Sequence, residues 1–207
     1  MRFFNRQGCW AVVLGAVMAV GAVCWVGCGY SVGTFEDERD GQKYRTVKIR
    51  NQVWMAENLR FDTLDGCWCY ENSEDSCQKY GRLYDWETAK VVCPNGWHMP
   101  TRGEWIKLAA VAKADTCSKK LKTRSGWNVD KNGNGNGTDK FRFSALPGGT
   151  RTIYGTFNGV GKSGNWWTTT ESSSGYANIQ SMYYGNNIVD EYYYDKGYGY
   201  SLRCLED

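Results

Sequence analysis

Hydrophobic and polar positions divide the chain into distinct regimes. Ala11 to Val26 is almost wholly apolar and follows Arg2 and Arg6, and the first acid is Glu36. A basic n-region before an apolar h-region is the pattern of an export signal. Further on, Tyr44, Val47 and Ile49, then Val53 and Met55, flank Arg50-Asn51-Gln52. This predicts two short strands about a tight turn. Two helical patterns follow. Near Asp85 to Val92, Trp86, Ala89 and Val92 or Cys93 share one face, and Pro94-Asn95-Gly96 stops the helix. The second starts at Thr101, a fitting N-cap, with Glu104 three residues on to complete a capping box. Trp105, Leu108, Ala109 and Ala112 then repeat at helical spacing.

The remaining stretches are less regular. Residues 30–40 read as a short linker and a turn around Arg39-Asp40-Gly41-Gln42, and residues 62–82 as a polar loop. Lys119 to Thr138 also reads as a loop, ending in repeated Asn-Gly pairs. Phe141 to Cys204 breaks into short strands split by glycine turns. Short β, two helices and a long Gly-rich β half make an α+β domain the expectation.

Composition narrows this. At 207 residues with 15% aromatics, the chain has ample apolar area for one medium-sized domain and is not disordered. Trp25-Val26-Gly27-Cys28 closes the apolar segment. The small glycine before Cys28 suits a lipoprotein peptidase, although Trp25 stands where an aliphatic residue is usual. Lipidation of Cys28 is therefore the leading expectation. A retained membrane anchor and plain secretion are the alternatives, since ~20 apolar residues can span a bilayer. The expected organisation is a lipoprotein-type signal over residues 1–28, a linker over 29–34 and the domain over 35–207, exported to the outer membrane or cell surface. Two of the 25 basic groups and none of the 22 acids lie in the signal, which leaves a net charge of +1. No nucleic-acid partner is indicated.

Six cysteines lie beyond the signal: Cys67, Cys69, Cys77, Cys93, Cys117 and Cys204. Outside the cytoplasm an even number reads as a disulfide framework, here with fifteen possible connectivities. A Cys69–Cys77 bond would close a short polar loop, and Cys93–Cys204 would tie the middle of the domain to its end. Cys67–Cys117 would remain. A metal site is the weaker reading, because no CxxC pairs occur and His98 is the single histidine.

Several stretches carry a resemblance. They include Trp54-Met55-Ala56-Glu57-Asn58-Leu59, Tyr80-Gly81-Arg82-Leu83-Tyr84, Cys93-Pro94-Asn95-Gly96-Trp97-His98-Met99-Pro100, Phe143-Ser144-Ala145-Leu146-Pro147-Gly148-Gly149, Trp166-Trp167 and Ser201-Leu202-Arg203-Cys204. Together they resemble the Fibrobacter succinogenes major paralogous domain, over about residues 33–207. That family is known mainly as exported or surface-attached proteins without an assigned biochemical role. Met99-Pro100-Thr101-Arg102-Gly103-Glu104-Trp105 and the terminal Leu202-Arg203-Cys204 are more distantly similar to the formylglycine-generating enzyme superfamily. This resemblance implies a C-type lectin-like fold and pairing of Cys93 with Cys204. The superfamily's oxidase chemistry needs two close cysteines shortly before the terminal motif. None lies between Cys117 and Cys204, so that activity is not expected. The Glu-Pro-Asn and Gln-Pro-Asp motifs of sugar-binding lectins are also missing.

Other candidate motifs have plainer readings. Asp130, Asn132 and Asn134 with Gly135 resemble the first half of a calcium loop, but the closing acid position falls on Phe141. A polar Asn-Gly turn is the plainer reading, so no cofactor is expected and calcium is the one alternative. Gly159 to Ser163 resembles a phosphate loop without its first glycine or following helix. His98 is expected to be structural rather than an acid/base. Tyrosines crowd the end of the chain, and consecutive ones on a strand must face both ways. A flat ring with a polar tip suits sugar stacking or protein contact. Tyr184, Tyr192, Tyr194 and Trp167 are the candidate ligand residues. The expected function is a non-catalytic, surface-attached binding or adhesion module, contacting a polysaccharide or a surface protein. An enzyme on the same scaffold and a structural envelope protein are the alternatives.

Overall fold

The computed structural model describes residues 30–113, 116–130 and 133–207. The expected signal segment with Cys28, and Asn132 of the calcium candidate, lie outside the described residues. The side chains of Asp130 and Asn134 do as well; the backbone there forms a two-stranded pair.

In chain order the elements are β1 (Tyr30–Asp37), β2 (Gln42–Ile49), β3 (Gln52–Met55), β4 (Cys67–Trp68), α1 (Glu74–Tyr80), β5 (Leu83–Tyr84), α2 (Trp86–Ala89) and β6 (Trp97–His98). They continue with α3 (Arg102–Ala112), α4 (Cys117–Leu121), β7 (Val129–Asp130), β8 (Gly133–Asn134), β9 (Gly148–Arg151) and β10 (Phe157–Val160). The last are β11 (Ser163–Ser173), β12 (Tyr176–Tyr183), β13 (Asp190–Asp195), β14 (Tyr200–Ser201) and β15 (Leu205–Glu206). One sheet has the order β1-β2-β3-β15-β6. The larger runs β10-β9-β11-β14-β5-β4, with β12 on β11 and β13 on β12. This is a mixed α/β architecture. None of its described helices is long and apolar enough to cross a membrane.

The hairpin about Arg50-Asn51 forms as its alternation predicts. The capping box also forms: the Thr101 hydroxyl accepts from the Glu104 N–H, and the Glu104 carboxylate accepts from the Thr101 N–H at 2.7 Å. Four expectations need correction. Residues 30–34 are not a linker but the first half of β1, paired in unbroken register with β2. Being an edge strand, β1 is mostly exposed and lacks an apolar alternation to read. The supposed loop 62–82 contains α1, whose one buried residue, Cys77, is too little to make a periodicity. The supposed loop from Lys119 overlaps α4, one turn held by buried Cys117 and Leu121. Among the described residues four α-helices thus replace the expected two, and the one near Asp85 shortens to Trp86–Ala89.

Trp166 and Trp167 show how the core is built. Neighbours on a strand point to opposite faces, yet both are fully buried. Strand β11 is therefore covered on each side. Trp166 joins Trp54, Trp105 and Phe143 in one aromatic cluster under α3. Trp167 joins Tyr84, Trp86, Met99 and Tyr200 in the other.

Two disulfides are present among the described residues, Cys69–Cys77 and Cys93–Cys204. The expected Cys67–Cys117 bond is absent, and both are free thiols. Cys117 is inside the Trp166 cluster, while Cys67 packs against the Trp167 cluster. The two residues lie on different cores and cannot meet.

Candidate functional site: a tyrosine-lined groove

Strands β11, β12 and β13 set side chains in cross-strand rows. Trp167, Ile179 and Tyr192 form one row, and Asn165, Ser181 and Asp190 the next. Ala177 faces Tyr194. Above these rows lies an open groove of about 480 Å³, closed on its far side by Thr150 and Asn158 of β9 and β10. Its apolar surface is mostly the rings of Tyr183, Tyr192, Tyr194, Tyr198 and Tyr200. Asn158, Asn165, Asn186 and hydroxyl side chains supply the polar groups, with Asp190 as the one carboxylate and no cation among the lining residues.

The tyrosines form a connected ladder. Tyr192 and Tyr194 meet at 6.4 Å between ring centres, and Tyr194 and Tyr198 at 5.4 Å. Tyr198 stacks on Tyr200 with a 12° interplanar angle, and Tyr200 meets Trp167 edge-on at 4.8 Å. Trp167 is fixed by donation from its indole Nε1 to the Tyr84 carbonyl at 2.8 Å. Exposure rises along the ladder from 0% at Trp167 to 37% at Tyr194 and 48% at Tyr192. Rings held this way lose little freedom when a ligand lies on them.

The polar groups are also held. The Ser181 hydroxyl donates to Asn165 Oδ1 at 2.8 Å, and Asn165 Nδ2 donates to the Ser163 hydroxyl at 3.2 Å. Asn186 Nδ2 donates to Asp190 at 3.0 Å, while its Oδ1 is buried without a protein partner. The Asp190 charge beside Tyr192 raises that phenol above its usual range, and burial does the same to Tyr200. Both rings stay neutral donors at physiological pH. Beneath the β12–β13 turn, Lys122 donates from Nζ to the carbonyls of Tyr183 and Asn186. It is 1% exposed, and burial lowers its pKa to about 8.

Of the four candidate ligand residues, Tyr192 and Tyr194 line the groove. Trp167 is a correction: Tyr200 covers it, so it supports the ladder and touches no ligand. Tyr184 is the other. Its ring meets that of Tyr183 edge-on at 4.6 Å but packs half-buried against the Trp166 cluster and does not line the groove. Tyr183, Tyr198 and Tyr200 belong to the tyrosine crowding but not to the four named candidates, and Asn158, Asn165, Ser181 and Asn186 carry no local signal, because they come together only through the fold.

His98 lies elsewhere. Its ring nitrogens meet Asp207 at 2.6 Å and Glu104 at 3.2 Å, tying β6 to the last residue and to the start of α3. Burial would raise the Glu104 pKa, but hydrogen bonds from Thr101 and His98 outweigh it and lower the value.

Residues 47–206 match the family described as the Fibrobacter succinogenes major domain. The chain belongs to this family. The match takes in the strands of the groove and both disulfides, but starts inside β2 and so leaves out β1. No curated protein and no solved structure matches the chain.

Proposed function

We propose that this major-domain protein is an exported, surface-attached, non-catalytic binding module that holds a neutral polysaccharide in the tyrosine-lined groove. The observation that carries the reading is the pairing of exposed, pre-positioned Tyr192 and Tyr194 with a floor of amides and hydroxyls and no cation. Sugar rings offer an apolar C–H face to an aromatic ring and hydroxyls to amides. Glycosidic hydrolysis commonly uses two carboxyl groups flanking the bond. The groove has one, and it is already engaged by Asn186. Retention without cleavage fits this better than catalysis.

The scaffold in this reading is C-type lectin-like, supported by the Cys93–Cys204 bond where the distant resemblance puts it. Attachment is through the N-terminal segment, by lipid on Cys28 or by a retained anchor. No metal cofactor enters the reading.

The test is a glycan array followed by calorimetry on the best neutral oligosaccharide. Binding that falls at least tenfold in Tyr192→Ala and Tyr194→Ala supports the proposal. An array with no signal above background, or binding unchanged in both variants, overturns it.

A further inference from the structure

Away from the groove, we infer that the cleft between the β2–β3 turn and α3 receives the phosphate of an anionic lipid headgroup, in the membrane that holds the N-terminal segment. The inference rests on the membrane-attached reading above.

The first observation is where the chain joins the domain. Tyr30 pairs with Ile49, so β1 begins beside the β2–β3 turn. Cys28 is two residues earlier, and two residues reach at most ~7 Å. A membrane-spanning segment ending at Val26 would add only two more. Either attachment brings this end of the sheet to the headgroup layer.

The second is the cleft itself. It has a volume of about 280 Å³ and lies at that same end. Ile49, Ala110 and Val111 give it apolar walls, Arg50 and Lys107 stand on opposite sides, and no acid lines it.

The third is the state of the two cations. Arg39, Arg60, Arg82 and Arg102 each pair with a carboxylate. The side chains of Arg50 and Lys107 are exposed and make no hydrogen bond or ion pair with another described residue. A guanidinium fits a phosphate through two parallel N–H donors, and an ammonium adds a point charge. The apolar walls suit the first carbons of the lipid below the phosphate. Juxtamembrane basic groups are attracted to anionic leaflets in this way.

The test uses the full chain mixed with vesicles of phosphatidylcholine alone or with added phosphatidylglycerol. Flotation reads attachment, and amide hydrogen exchange at residues 49–52 and 106–111 reads docking. The chain is expected to float with both, with exchange at these residues several-fold slower on the anionic vesicles. Arg50→Gly combined with Lys107→Ala should float equally well and lose the extra protection. Arg50 has φ 56°, a conformation glycine adopts more readily, and Lys107 is on an exposed helix face, so this variant folds. Flotation with equal exchange on both vesicles overturns the docking alone. Failure to float with either overturns the attachment and the docking together.

Discussion

Arg203 Nη2 donates to the side-chain oxygen of Asn58 at 2.8 Å, across 145 residues of sequence and out of contact with solvent. The same oxygen accepts from Trp166 Nε1 at 2.9 Å. Asn58 Nδ2 donates to the Tyr80 carbonyl at 2.7 Å and to the Ser201 hydroxyl at 3.3 Å. Arg203 also reaches the carbonyls of Phe143 and Ser144. Most of the stretches that carry the family resemblance therefore converge on one buried polar hub. No carboxylate touches Arg203, and burial lowers its pKa to about 9. These stretches build the core.

Asn58→Ala should be among the most damaging single changes. It leaves Arg203, Trp166 Nε1 and the Tyr80 carbonyl each short of a partner, and since an unsatisfied buried polar group costs about 1–3 kcal/mol, the sum should be about 3–5 kcal/mol. Chemical denaturation of the variant should show a loss of that order. A loss under about 1 kcal/mol would mean the hub is not formed.

The two disulfides should contribute unequally. Cys93–Cys204 spans 111 residues and Cys69–Cys77 spans 8. Loop-closure entropy gives roughly 5 kcal/mol for the first and roughly 2.5 for the second. Cys93→Ser with Cys204→Ser should thus lower the denaturation midpoint more than Cys69→Ser with Cys77→Ser.

Alkylation followed by peptide mass mapping separates the thiols of Cys67 and Cys117. Cys67 is half-buried and should label in the native protein. Cys117 is buried, and burial raises its pKa, so it should label only after unfolding. Finding Cys67 joined to Cys117 would contradict the packing of the two cores.

Tyr192 and Tyr200 should separate binding from stability. Tyr192 is half exposed, so Tyr192→Ala should change stability by no more than about 0.5 kcal/mol while weakening glycan binding. Tyr200 is 2% exposed and covers Trp167, so Tyr200→Ala should cost about 3–5 kcal/mol and weaken binding as well. Calorimetry and thermal melting on the same samples read both effects.

Lys122 predicts a pH dependence. Its folded pKa of about 8 lies below the ordinary 10.5, so between those values the unfolded chain binds more protons than the folded one. The Lys122 contribution should therefore rise with pH from about 8 upward, opposed by buried Cys117 and, near pH 10, by buried Tyr84 and Tyr200, whose raised pKa values act in the opposite sense. Lys122→Met should flatten that rise, measured as denaturation midpoint against pH.

Legibility in the sequence followed the range of each interaction. The Thr101 cap and the turn at Arg50-Asn51 depend on neighbours a few residues away, and the pattern shows them. Strand β1 is an exposed edge strand paired only with its hairpin neighbour β2, and helix α1 is held by a disulfide, so their own residues have no apolar period to read. The groove divided in the same manner. Tyrosine crowding pointed to Tyr192 and Tyr194, but Tyr184 two places before Asn186 turned inward, and Trp167 disappeared beneath Tyr200.

By itself the sequence determined the family, the capped helix and the aromatic wealth of the last strands, because each is a property of residue type at short spacing. The tertiary structure alone decided that Cys67 and Cys117 stay apart, that Asn58 hydrogen-bonds to three distant segments, and that five tyrosines share one groove. Those outcomes depend on strand order and on which face of a sheet meets which core, and strand pairing sets both across more than a hundred residues.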